Sequence, residues 1–504
     1  MFAGANYSHV DGTETWNNEN YQFPQSLFDR ESYSKNSYRN HQKYMQFRYQ
    51  NQKGKRYWVG KFTLLNLSTP RNASSGFARE STETDIFSNI RKKSLSPKID
   101  LNANLPLSKN QTLTLGVHGK YSANSYHRLY QEQPFEAMTD EDENALSFQL
   151  SAIYNYFSQK HSLSVELFHY HDVWNADYSG NCELWQHLWK GESLAFFSYN
   201  FQASRRLSLK TRIGLDWLQY HLHGDNSFSQ LSPRINTNVQ YQLNKGMLLW
   251  SFNFVNSNHG MDVINRAMIQ VNSHMMEKGM PELKKSHDIN TYLYYMGRFN
   301  RLSVSAIGQF RNNHHPVTDD YYLDEANGKI VKTYSNGGNA QYYSAILALQ
   351  YKLCKFANLS GDIRYNHAEV KTTWSKHNNN LTGNLGLNMF MGDFALKPYL
   401  HFGKKSLDEA ALVISKTPID YGMSCSYSRG NLYVELQAAS PFKKQEKRYW
   451  LDLPIYSYSK SIKDQTASQY ASIKVAYSFD FGRKTQKVEK DVNKNINSSL
   501  LRVE

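Results

Sequence analysis

Two histidine pairs, an acidic run and a tryptophan pair are the places where this sequence could do chemistry. His169/His171 and His221/His223 each put two imidazoles on one side of a strand, close enough to share a metal ion. Neither pair has a carboxylate partner near it, so solvated histidines are expected there and no metal is assigned. Asp140-Glu141-Asp142-Glu143 could attract calcium, yet it lacks the spaced ligands of a calcium loop and reads as a solvated acidic loop. Trp185 and Trp189, with Leu184 and Leu188 at helical spacing, could stack on a sugar ring or an aromatic chelate as loop ligand contacts. Cys182, Cys354 and Cys425 lie too far apart for a disulfide framework or a Cys-rich metal site. A nucleophile elbow, a glycine-rich phosphate loop and a zinc helix are all missing. Neither a catalytic residue nor a cofactor is expected, and the chain reads as a non-enzyme.

The elements that would position these residues are strands. Aromatic residues make up 14% of the 504, while mean hydropathy is −0.67, and no run approaches the length of a membrane helix. Many aromatics with low hydropathy is what a transmembrane β-barrel gives, because only alternate residues meet lipid. The alternation itself is plain: Leu207, Leu209, Ile213, Leu215 and Trp217 face one way and Ser208, Lys210, Arg212 and Asp216 the other. It recurs at Leu113/Leu115/Val117, at Leu432/Val434/Leu436 and at Ile473/Val475/Tyr477/Phe479/Phe481.

Short polar turns separate paired runs at Lys53-Gly54, Ser108–Asn110, Ser158–Lys160, Ser204–Arg206, Asn244–Gly246, Asn300-Arg301, Cys354-Lys355, Gly392-Asp393 and Arg429-Gly430. The other connections, 11–41, 126–144, 173–191, 257–286, 313–338 and 440–464, read as long polar loops. Short turns on one side and long loops on the other predict an all-β fold, an antiparallel barrel of about twenty strands with periplasmic turns and extracellular loops. Residues 1–481 are then the outer-membrane barrel and 482–504 a polar periplasmic tail. Met261, Ile264, Met268, Val271 and Met275 predict a short amphipathic helix folded over the barrel mouth. The formal charge of +14 is spread singly along the chain, which excludes a nucleic-acid partner.

A barrel of about twenty strands would leak unless plugged. Inward polar residues, among them Lys210, Arg212, Asp216, Asp362, Arg364 and Asn384, could line water or grip a plug. No segment of the chain is long enough to be that plug, and the amino terminus lacks the basic, apolar and small-residue regions of a secretory signal. Either the signal has been removed or the chain is the downstream part of a longer protein, and a plug would have to lie upstream of Met1.

The run Lys278–His287 resembles the Gly-Asn-Pro-x-Leu-Lys-Pro signature that opens a strand in TonB-dependent receptors and the related outer-membrane β-barrel family, through Gly279, Pro281, Leu283 and Lys284. Met280 and Lys285 stand where that signature has Asn and Pro. Tyr334–Ala340, with Gly338 and Asn339, and the ending Val475–Lys484, with Tyr477, Phe479 and Phe481, are similar to the same family. The likeness covers essentially the whole chain and implies the carboxy-terminal barrel portion of such a receptor, about two strands short of a set of about twenty-two. It implies residence in the cell outer membrane among its lipids and uptake of a small nutrient such as a metal chelate, peptide or glycan. It also implies a terminal strand read by the barrel-assembly machinery, and a TonB partner if a plug lies upstream. The rival expectation is a plugless surface barrel with a structural, adhesive or passive-pore role.

Overall fold

The computed structural model describes residues 2–23, 26–225, 227–257, 259–442, 445–463 and 469–478. Each polar turn found in the sequence joins two antiparallel strands there. Ser26–Lys53 turns into Arg56–Arg79, pairing from Lys53↔Arg56 upward, and Leu207–Leu222 pairs Ser227–Leu243. Asn300 (φ 52°) and Gly392 (φ 61°) supply the left-handed backbone that two of these turns require.

The described residues form 28 strand segments rather than about twenty. Twenty-four lie in one sheet and four in a second. Part of the excess arises near the carboxy terminus, where consecutive segments follow each other after short breaks: Phe394–His401 and Lys404–Asp408, Val413–Thr417 and Asp420–Arg429, Leu432–Ala439 and Glu446–Asp452, Tyr456–Lys463 and Tyr470–Tyr477. Phe2–Phe23 pairs Ser26–Lys53 on one side and Tyr456–Lys463 on the other, from Glu14↔Lys463 to Tyr21↔Tyr456. Tyr456 Oη also donates to Glu19 Oε1 at 2.7 Å, a second tie between these two strands.

One face of the sheet is apolar and exposed, with Ile213, Leu215, Trp217, Leu347, Leu349, Ile363, Leu385, Ile473 and Val475 all uncovered. The opposite face carries the polar partners of the alternation. Such a face is stable only against an apolar medium, which is the arrangement of an outer-membrane β-barrel. No helix among the described residues is long and apolar enough to cross a membrane.

Most segments expected as loops are strands. Gln111–Glu132 and Phe135–Phe157 run through 126–144, and His161–Gly180 and Leu184–Gln202 through 173–191. Beyond the apolar band both faces are polar, so the period-2 signal fades although the ladder continues. The acidic run lies on one of these strands, with Glu141 and Glu143 buried and not solvated. The short helix expected from Met261 to Met275 is only Met261–Ile264, followed by the strands Met268–Gln270 and Met275–Lys278. Phe479, Phe481 and the tail 482–504 lie outside the described residues.

Candidate functional site

The second sheet is the feature around which a site forms. Met268–Gln270 pairs Met275–Lys278, which pairs Lys329–Ser335 in parallel, which pairs Thr318–Asp324. Two separate connections, 257–286 and 313–338, thus build one small sheet, here termed the cap. Its apolar residues are buried against the inner face of the large sheet. Met261, Ile264, Ile269 and Leu283 pack on Tyr178, Leu188, Leu218 and Leu222. Met275, Tyr321 and Ile330 pack on Tyr21, Val370, Leu451 and Tyr456. Strands from both halves of the chain therefore close on the cap.

Polar clasps fix its position. The Arg128 guanidinium donates to the carbonyls of Gln270 (2.7 Å) and Val271 (2.5 Å), tying the strand end to the wall. Ser273 Oγ donates to Glu132 at 3.1 Å. Gln186 Nε2 donates to Asn265 Oδ1 at 2.5 Å, Asn265 Nδ2 donates to Tyr178 Oη at 2.6 Å, and Tyr178 Oη donates to Glu141 at 2.9 Å. On the other side Trp374 Nε1 donates to Asp320 at 2.8 Å.

The residues of the Lys278–His287 run occupy one of these clasps. A Cβ on Gly279 would collide with the backbone of Asn265 and Val263, so only glycine lets the two segments meet. Tyr220 Oη donates to the carbonyls of Pro281 and Leu283, both at 3.2 Å, and Leu283 is buried. The Lys284 carbonyl accepts from His259 at 2.8 Å and from Asn336. Gly338 (φ 78°) opens the strand Asn339–Lys352, and Asn339 pairs His314 and Lys371.

Lys285, one of the two departures from the signature, makes a fully buried ionic link. Its ammonium lies 2.8 Å from Asp216, and both side chains are fully buried. Arg234 shares the same carboxylate at 2.6 Å and reaches Glu192 at 3.3 Å. Sequence reading assigned Asp216 to the inner face but had no signal for its partner, which is 69 residues on in a segment read as loop.

Burial tunes two cap-side acids. Burial pushes the Glu141 carboxyl up to about 8, against the bond from Tyr178 and with the help of Glu143 and Asp142. Burial likewise pushes Asp319 up to about 6, although Lys332 stands 3.3 Å away. Burial disfavours the Lys332 ammonium too, but Asp319 and Glu277 more than offset it and raise its pKa.

The tryptophan pair is on the other face. Trp185 and Trp189 lie on the strand Leu184–Gln202 and not on a helical turn. Leu188 and Gln186 point into the cap cluster, while Trp185 faces out and stacks on His187 with centroids 6.1 Å apart. Trp189 meets His171 edge-on at 5.5 Å. His169 and His171 centroids are 6.1 Å apart, and His169 and His221 are engaged by Ser193 and Ser227. Among the described residues no group of three or more His, Cys, Asp or Glu is placed to hold a metal ion. Tyr477 is exposed and paired with Leu432.

No family model and no curated protein sequence matches the chain. Solved structures do. The copper transporter OprC is 10% identical, with 90% of this chain covering 80% of that one at a TM-score of 0.56. Unliganded ferric citrate transporter FecA is 10% identical over 90% of this chain and 78% of its own, TM-score 0.53. The ferric enterobactin receptor PfeA, in complex with BCV-L6, is 11% identical over 92% and 82%, TM-score 0.51. The chain thus has the fold of these transporters and receptors. Each of these three proteins is named as a transporter or a receptor.

Proposed function

We propose that the chain is the barrel of a TonB-dependent outer-membrane receptor, taking up a scarce nutrient such as a metal chelate, peptide or glycan through a capped lumen. In this reading each interrupted carboxy-terminal pair is one barrel strand, which turns the 24 segments of the main sheet into about twenty strands, an even number as such barrels favour. The pairing of Glu14–Tyr21 with Tyr456–Lys463 is the closing seam. Residues 1–481 are the barrel and 482–504 a periplasmic tail. The polar turns face the periplasm, the cap faces outward, and lipid covers the exposed apolar face. Gly279, Pro281 and Leu283 seat the cap, Lys284 ties it to Asn336, and Gly338 and Asn339 set the strand that follows. Tyr477, Phe479 and Phe481 form the signal for the barrel-assembly machinery, and TonB is a partner only if a plug exists upstream.

The observation that carries this reading is the cap docked across the inner face of both halves. A passive pore needs an open mouth, and an adhesive barrel needs its connections turned outward. Ion current across planar bilayers holding the full chain tests it. The parent should pass little steady current, and replacement of residues 261–283 by a Gly-Ser linker should give stable large-pore currents. Steady open currents from the parent would favour the passive pore.

A further inference from the structure

The large sheet changes character in its last quarter. Earlier strands run unbroken for 12–28 residues, as in Ser26–Lys53 and Gly246–Ser257, whereas the carboxy-terminal ones break after His401, Thr417 and Ala439. Breaks in a ladder cost backbone hydrogen bonds and cluster where a sheet is shaped for another purpose. Here they coincide with a recess of about 720 Å³, lined by the break residues Phe402, Pro418 and Gln445 and lying on the face opposite the exposed Leu347, Ile363 and Leu385.

The lining is rich in donors and poor in acceptors. It holds Arg364, Lys404 and Lys447 but a single carboxylate, Asp420. That carboxylate is already engaged by Ser440 (3.1 Å) and by His401 (3.4 Å). Arg364 is held from behind, its Nε donating to Asp362 at 2.6 Å while Asn384 grips the other oxygen of Asp362 at 2.8 Å, so the rest of the guanidinium fork faces the recess. Tyr342 and Ser344 both donate to Asn366 Oδ1 (2.6 and 2.9 Å), which leaves the amide nitrogen as the group still to be used. Among the described residues neither Lys404 nor Lys447 forms an ion pair. Tyr399 and Tyr449 are among the aromatic residues of the lining.

We propose that this recess binds a small organic polyanion, its oxyanion groups on Arg364, Lys404, Lys447 and the Asn366 amide, its body against Tyr399 and Tyr449. The assignment deepens the uptake reading by naming the chemical class of the solute.

Calorimetric titration of the full chain in detergent micelles at low salt tests it with three probes: tripolyphosphate, benzene-1,3,5-tricarboxylate and neutral maltotriose. Both anions should bind and maltotriose should not, with affinity falling as salt rises. Tighter binding of the tricarboxylate would mark the ring faces as part of the site, and tighter binding of tripolyphosphate would mark charge alone as the selector. Lys404→Gln with Lys447→Gln should weaken the anions at least tenfold, Asp420→Asn should strengthen them, and Lys160→Gln at a distant turn should change nothing. Anion binding that ignores these substitutions, no anion binding, or equal binding of maltotriose would overturn the assignment. The bilayer current of the unmodified chain decides the uptake reading independently, so either can fail without the other.

Discussion

The wall and the cap of this molecule are held by different means. The wall is a run of backbone ladders, each strand paired along its length, and its side chains chiefly decide which face meets the apolar medium. The cap is held by individual side chains that reach backbone carbonyls and each other: Arg128 on Gln270 and Val271, Tyr220 on Pro281 and Leu283, Lys285 on Asp216. A wall of this kind tolerates loss of one side chain, and a cap of this kind does not.

The largest test of that contrast is Asp216→Ala. It strips the partner from the fully buried Lys285 ammonium and from Arg234, and removing one member of a buried pair typically costs about 3–5 kcal/mol. Hydrogen exchange across 261–285 should rise sharply, and the double change Asp216→Ala with Lys285→Met should restore most of the protection. A single variant as damaging as Asp216→Ala on the exposed face of the wall would break the contrast. Gly279→Ala comes next, because the new methyl meets the backbone of Asn265 and Val263; overpacking of this kind costs about 1–3 kcal/mol, read as faster proteolysis within the cap.

The pH response sharpens the comparison further. Glu141, above the apolar band, has its folded pKa raised from the usual carboxylate value to about 8. A raised folded pKa means that the group's contribution to docking is fully present below the usual carboxylate range and is lost as pH rises through about 8. Cap protection should therefore be greater at pH 5 than at pH 9, and Glu141→Gln should remove most of that difference. An unchanged slope in the variant would assign the response to another acid. The smallest effect is expected from Trp185→Ala on the outward face, within about 0.5 kcal/mol of the parent by denaturant unfolding. Loss of nutrient uptake in that variant would restore the ligand role that its aromatic ring suggests from sequence.

How far the sequence revealed these two regions follows from the same physics. Alternation such as Ile213/Leu215/Trp217 against Arg212/Asp216 displays the wall, because a lipid-facing surface imposes period two over whole strands. The turns were legible because Gly, Asn and Lys-rich dipeptides punctuate them. Above the apolar band the strands around 126–144 and 173–191 lost that signal, since neither face there meets lipid. Trp185 and Trp189 misled for a geometric reason: positions four apart share a face on a helix and on a strand alike. The cap was hidden because its strands are three to seven residues long and its burial depends on partners far away in the chain. Of the recess, Arg364 and Asn384 were recognisable as inward polar residues, but their convergence with Lys404 and Lys447 depends on the strand breaks, which leave no periodic trace.

The bond from Tyr456 to Glu19 spans 437 residues. Bringing together chain ends so far apart costs conformational entropy that grows with the logarithm of their separation, about 5 kcal/mol before any contact forms. No local structure can nucleate that junction, so its ladder is the last to assemble. Until then Phe2–Phe23 and Tyr456–Lys463 each keep one unpaired edge, a template for another polypeptide. The nascent molecule thus carries an aggregation hazard that pairing of Glu14–Tyr21 with Tyr456–Lys463 removes, and an escort that shields both edges would be needed most at that final step.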